Sequence, residues 1–183
     1  MKRYLSLLFI TTSLFVLQGC ATSITKGSDR RTEGAYIEDG TIENTATERI
    51  KKKYQGRVHI NVNSYNRKVL VTGDVADEAV KADITRIIIT VQNVNDVFNE
   101  LSIGPLSGLS ARSGDAVTTS NVKLRLQNSK KEFFRADRVK VVTEKDIVYL
   151  LGLVTRAEAD VATEIASTSS GVKKVVPLYQ FID

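Results

Sequence analysis

The chain has 183 residues, 42% of them hydrophobic, with 26 Lys and Arg against 21 Asp and Glu for a net charge of +5. That apolar share excludes a disordered chain, and the length suits one domain or two small ones. A single cysteine and a single histidine exclude an internal disulfide and a transition-metal site built from several such ligands.

Residues 1–19 read as a targeting segment. Lys2 and Arg3 form a short positive start, and Tyr4 to Leu17 form an apolar stretch broken only by Ser6, Thr11, Thr12 and Ser13. The stretch is too short for a bilayer span of about 20 residues and suits the core of a signal peptide. Leu17-Gln18-Gly19-Cys20 follows and resembles a bacterial lipobox. The resemblance implies that Cys20 becomes an acylated N-terminus, and Ala21 after it implies sorting to the outer membrane. A single acyl chain holds a protein marginally, whereas several anchor it firmly. The cysteine is thereby expected to be an anchor rather than a nucleophile.

Residues 20–40 are polar and small, and predict a flexible tether with a reach on the order of 25 Å. A first folded unit is expected over 41–104. Thr41 is a candidate helix N-cap, with Ile42, Ala46 and Ile50 on one face behind it. Val58, Ile60 and Val62 alternate with polar residues as in a half-buried strand, which places His59 on the opposite, solvated face. A turn at Ser64-Tyr65-Asn66-Arg67 leads to a returning strand through Val69, Val71, Gly73 and Val75. Asp77 and Glu78 open a helix carrying Ile84, Ile87, Ile88 and Val91, and Val94 to Ile103 form a last strand.

After a glycine-bearing linker over 105–114, the same order recurs over 115–183. A helix is expected from Asp115 to about Lys131, then a strand from Val139 to Val142 and a turn at Glu144-Lys145-Asp146. Ile147 to Val154 follow as the returning strand, then a helix from Arg156 to about Ser169 and a strand from Val172 to Ile182. Gly73 aligns with Gly152, Val75 with Val154 and Val69 with Val148. A pattern of helix, two strands, helix and strand that occurs twice is stronger evidence than any single motif within it. The expected fold class is α+β: two tandem αββαβ domains, each a three-stranded mixed sheet with two helices over one face. Gly73, Gly152 and Gly171 are expected to serve packing, at places where a Cβ would collide.

Gly73-Asp74-Val75, Gly152-Leu153-Val154 and Gly171-Val172-Lys173-Lys174-Val175 make each half resemble the BON domain; Asn93-Val94-Asn95-Asp96-Val97 departs from the last pattern by Asn for Gly. Together with the lipobox, the doubled unit resembles the dual-BON lipoproteins of the Gram-negative outer membrane. That resemblance implies a lipid-anchored protein facing the periplasm, with roles in envelope integrity, stress and division.

No residue constellation suggests catalysis. His59 stands alone, the glycines of 103–115 lack the Gly-Lys-Ser/Thr ending of a phosphate loop, and Asp74, Asp77 and Glu78 read as turn acids. No cofactor is called for. Scattered cations on an exported chain also argue against nucleic acid.

Surface binding remains. In the helix from Asp115, Thr118, Val122 and Leu126 share one side, while Val117 and Leu124 fall nearly opposite beside Asn121, Asn128 and Lys131, flanked by Lys123 and Arg125. Phe133 and Phe134 follow. Two aliphatics in a basic setting suit an anionic bilayer surface, or else they pack on the sister domain. The resemblance favours anionic phospholipid, phosphatidylglycerol above all, bound through this helix. It also implies a large aromatic near the helix start, where this chain has Val117, with Phe133 or Phe134 as a substitute. The alternative is a protein-interaction module that docks on an envelope partner, such as outer-membrane assembly machinery or division-site proteins.

Overall fold

The computed structural model describes residues 29–183. The anchor Cys20 and the signal segment lie outside the described residues.

Each half is αββαβ. The first runs α1 (Glu33–Tyr54), β1 (His59–Tyr65), β2 (Lys68–Val75), α2 (Glu78–Ile89) and β3 (Asp96–Ile103). The second runs α3 (Leu109–Gln127), a 3-10 turn (Ala136–Arg138), β4 (Val139–Glu144), β5 (Ile147–Val154), α4 (Arg156–Ser167) and β6 (Lys174–Phe181). In each sheet the middle strand, β2 or β5, pairs antiparallel with the strand before it and parallel with the strand after the helical crossover. The expected two-domain α+β architecture is what the chain adopts.

The hairpin strands alternate faces, and the alternation explains the core. In β2, Val69, Val71 and Val75 point toward α1 and α2, where Ile42, Ala46, Ile50, Ile84 and Ile88 close over them. In β5, Val148, Leu150 and Val154 meet Val122 and Leu126 of α3 and Ala159, Ala162 and Ala166 of α4. The intervening residues face the other way. Leu70 joins Tyr65, Tyr149 and Leu151 in a third buried cluster, edged by Phe98, Val142 and Leu178, which lies between the two sheets. The molecule is therefore four layers, helices–sheet–sheet–helices. The central strands are covered on both faces, which is why β5 reads as a nearly continuous apolar run and why even Thr72 and Asp74 of β2 are buried.

Several expected boundaries move. The tether ends earlier than residue 40: Thr32 caps α1, its hydroxyl accepting from the Ala35 N–H at 3.1 Å, and Thr41 sits inside the helix. The linker over 105–114 is also shortened, because α3 starts at Leu109 behind Gly108, and Asp115 lies within that helix. Both early turns are polar and glycine-bearing, so composition conceals them.

The segment before α1 is clasped across both halves. The Arg30 guanidinium donates to the Leu153 carbonyl (3.0 Å) and to Glu158 (2.5 and 3.1 Å), which also pairs with Arg138. Arg31 bridges Asp29 and Asp39 and stacks 4.1 Å from the Tyr65 ring centre. Burial, followed by the nearby Asp29 charge, pushes the Tyr65 hydroxyl up to about 12. Among the described residues no helix is long and apolar enough to cross a membrane.

Candidate functional site

The outward face of α3 is where the expected surface site lies. Inward, Asp115, Thr118, Val122 and Leu126 are buried. Thr118 packs against Gly171, whose φ of +87° no ordinary residue adopts freely and whose place leaves only 2.4 Å to the Thr118 hydroxyl for an added Cβ. With this side fixed, seven-residue spacing returns Val117 and Leu124 to one outward stripe, 61% and 56% exposed. They do not pack on the sister half. Lys123 beside them is exposed, as are Asn128 at the C-cap and Lys131 just beyond the helix; Asn121 is half-buried. Lys130, which sequence reasoning passed over, is exposed next to Lys131.

Two expected residues are placed differently. Arg125 is not a free cation: its guanidinium donates to the Ile165 carbonyl (2.9 Å), the Ser169 hydroxyl (2.8 Å) and the Thr168 hydroxyl (3.0 Å). It thus satisfies the negative C-terminal end of α4 and ties α3 to it. Phe134 is a core residue, 4% exposed and packed in the second cluster, whereas Phe133 is 51% exposed. The turn between α3 and β4, closed by the Phe134 N–H on the Lys131 carbonyl at 3.0 Å, sends one ring in and the other out. Alternation at the level of sequence does not distinguish two adjacent rings in a loop.

A second polar assembly lies between the sheets, where turn acids and solvated residues were expected. Asp74 is fully buried, takes the Ser107 N–H at 2.7 Å and pairs with Lys145 from the other half. Burial would raise its carboxyl, but the hydrogen bonds from Lys145 and Ser107 outweigh this and hold it below the usual carboxylate range. Glu144, 4% exposed, accepts from Asn61 (2.9 Å) and from the Thr72 hydroxyl (3.2 Å). His59 belongs to this layer, not to a solvated face, and its Nε2 is buried. These are cross-domain ties. They offer no nucleophile paired with a base, and among the described residues no cluster of three His, Cys, Asp or Glu could hold a metal.

The glycines on the central strands explain themselves by contact. A Cβ on Gly73, at φ +124°, would stand 2.1 Å from the His59 carbonyl oxygen, and one on Gly152 would stand 2.7 Å from that of Arg138. In both halves the close neighbour is the chain at the start of the adjacent strand.

Comparison with known proteins follows this division. The BON domain matches residues 38–105 and again 114–180. The chain is 36% identical over 179 residues to a protein of Haemophilus influenzae named outer membrane lipoprotein DolP, covering 91% of each. It is 29% identical over 160 residues to the 21 kDa hemolysin of Actinobacillus pleuropneumoniae, covering 86% of this chain and 81% of that one. Among solved structures, the C-terminal domain of CdsD, a structural protein of the Chlamydia trachomatis type III secretion system, aligns over 84% of this chain and 100% of its own. It does so at 11% identity and a TM-score of 0.31, too low to carry an argument.

Proposed function

The chain belongs to the BON-domain family as a dual-BON, DolP-like protein, and from that premise we propose that it is a non-enzymatic outer-membrane lipoprotein that contacts anionic phospholipid through α3. The observation that carries the reading is the outward stripe of Val117 and Leu124, both more than half exposed, with exposed Lys123 flanking it. Aliphatics more than half exposed on a folded helix, set among cations, match what an interfacial surface needs. Each cation close to an anionic bilayer contributes on the order of 1 kcal/mol, reduced by salt. Phe133 and Lys131 extend the same surface past the helix end.

Acylated Cys20 is the proposed anchor, holding the protein on the periplasmic side of the outer membrane. Asp29 is clasped to the body and follows Cys20 so closely that, at about 3.5 Å per residue, the folded part stays within roughly 30 Å of the anchor. Such tethering raises the effective concentration of α3 at the surface, so an individually weak contact is populated. Support of envelope integrity under stress and at division sites is the proposed role, and phosphatidylglycerol the proposed lipid.

The test is cosedimentation of the chain from Ala21 onward with phosphatidylglycerol vesicles against phosphatidylcholine vesicles. Binding only to the former is expected, with about a tenfold loss in Leu124→Asp, the scale of one exposed aliphatic buried at an interface. Equal binding by Leu124→Asp and the parent chain overturns the assignment to α3.

A further inference from the structure

β1 and β4 are edge strands of their sheets, hydrogen-bonded on one side only, as are β3 and β6 at the opposite edges. Which backbone groups point outward follows from the hairpins. Both close on two-residue turns, Asn66-Arg67 and Lys145-Asp146, so that Tyr65 with Lys68 and Glu144 with Ile147 are the first hydrogen-bonded pairs. Alternation then directs the N–H and C=O of Ser64, Val62 and Ile60 away from β2, and those of Thr143, Val141 and Val139 away from β5. Two of these residues have found partners. The Ser64 N–H donates to Glu43 (2.7 Å) and its carbonyl accepts from Lys140 Nζ (3.2 Å), while the Val139 N–H reaches the Ala136 carbonyl. Among the described residues, the outward groups of Ile60, Val62, Val141 and Thr143 have none.

These four residues share one cleft of about 530 Å³ between the halves, walled by α1 with Lys51 and by α3 with Arg112. Two of its lining residues carry a side-chain atom that is buried without a hydrogen-bond partner, Glu144 Oε1 and His59 Nε2. Glu144 is 96% buried, its other oxygen already taken by Asn61 and Thr72. A buried acceptor left without a donor is costly, and in native folds a water, an ion or a polar group completes such atoms. Exposed strand edges are normally blocked, because their unpaired N–H and C=O groups invite pairing with another chain. Here the Lys140–Glu43 pair blocks the edge at Ser64 and leaves the rest open.

We infer that the cleft is a strand-addition site, in which an extended polypeptide segment with acidic flanks pairs its backbone with Ile60 and Val62 of β1. Main-chain bonds give affinity in such complexes, and alternate side chains give register. Lys51 and Arg112 receive the acidic flanks. β1 is the receiving edge because His59 to Asn63 all line the cleft, whereas at β4 the Thr119 hydroxyl is already bonded to that of Thr143 at 2.7 Å and draws α3 over the strand. None of the residues used here belongs to the outward stripe of α3, so this site and the lipid reading stand or fall separately.

The test uses the full chain in phosphatidylcholine nanodiscs and a display library of seven-residue peptides that alternate acidic with β-branched or hydroxyl-bearing residues. The expected result is an enriched peptide that slows hydrogen exchange at the Ile60 and Val62 amides. It should bind at least tenfold more weakly to Val62→Pro and to Lys51→Glu, and unchanged to Leu124→Asp. Proline at an outward-facing edge position removes no ladder bond; should that variant unfold, the amide exchange of the native chain decides alone. No enrichment, or binding that leaves both amides exchanging as in the free protein, overturns the inference. So does protection of these amides by self-association without peptide, which would make a second copy the occupant.

Discussion

Asp39 and Asp115 hold equivalent places in the two halves, and each carboxylate grips the hairpin turn of its own sheet. Asp39 takes the N–H groups of Asn66 (2.7 Å) and Arg67 (2.8 Å), and Asp115 those of Lys145 (3.0 Å) and Asp146 (2.9 Å). All four turn residues have positive φ, between 50° and 64°, without a glycine among them. Such turns ordinarily rely on Asn-Gly or Asp-Gly. Here a helix-borne carboxylate supplies the stabilisation that the turn sequence lacks, and it fixes helix to sheet at the same time.

Replacing Asp115 by Ala should therefore lower stability by about 3–6 kcal/mol, the scale of two hydrogen bonds to a charged group. Asp39→Ala should cost more, since Asp39 also takes the Ser64 hydroxyl and Arg31. Chemical denaturation measures both. Adding Asp146→Gly to Asp115→Ala should recover part of the loss, because glycine accepts the positive φ of that turn position unaided while Lys145 stays paired with Asp74. A rescue that fails would mean the carboxylate acts on something other than the turn.

The repeat, the strands and the α+β class were legible because period-two alternation and the Gly-x-Val elements occur twice. The helix starts were not. Thr32 and Gly108 open their helices within runs of Gly, Ser, Asp and Glu that resemble a tether, and the one signal that could have revealed them is the paired Asp39 and Asp115. The stacking of sheet on sheet left a trace in Leu70, Tyr149 and Leu151, apolar residues on the face that a lone domain would show to water. Asp74, Glu144 and His59 on that same face masked the trace, since a polar residue on a strand reads as solvated until its partner in the other half is known. For the surface of α3, helical geometry correctly turned Val117 and Leu124 outward. It had no means of knowing that the end of α4 would claim Arg125.

The clasp at Glu158 predicts an acid response. Burial would raise this carboxyl, yet hydrogen bonds from Arg30, the Thr155 N–H and Arg138 prevail and hold it at about 2 against an ordinary 4.5. Because the folded value is the lower one, the stabilisation is complete above about pH 4.5 and lost as the pH falls toward 2. Its size is on the order of 3 kcal/mol for a residue this buried. Glu158→Gln should lower stability at pH 7 and flatten the loss between pH 4.5 and 2. An unaltered acid profile in that variant would remove Glu158 as its source.

Glycines should separate by contact. Gly73→Ala forces a Cβ to 2.1 Å from the His59 carbonyl at a φ of +124°, and should cost more than about 3 kcal/mol or prevent folding. Gly40 lies inside α1 with nothing within 4 Å of an added Cβ. Gly40→Ala should therefore stabilise by about 0.5–1 kcal/mol through helix propensity alone. Thermal melts of the two variants should move in opposite directions.

Neighbouring cations on α3 should separate in the same manner. Arg125 bonds the Ile165 carbonyl and the Thr168 and Ser169 hydroxyls at the end of α4, so Arg125→Ala should cost about 1–2 kcal/mol of stability. With those bonds in place its charge is turned toward α4, and vesicle binding by the folded fraction should change little. Lys123 lies exposed beside the stripe of Val117 and Leu124 with none of these duties. Lys123→Glu should leave the melting temperature within the small range usual for surface changes and weaken binding to phosphatidylglycerol vesicles several-fold, most strongly at low salt. If Arg125→Ala instead lost binding while Lys123→Glu kept it, the surface that meets lipid would lie along the junction of α3 and α4 and not along the outward stripe.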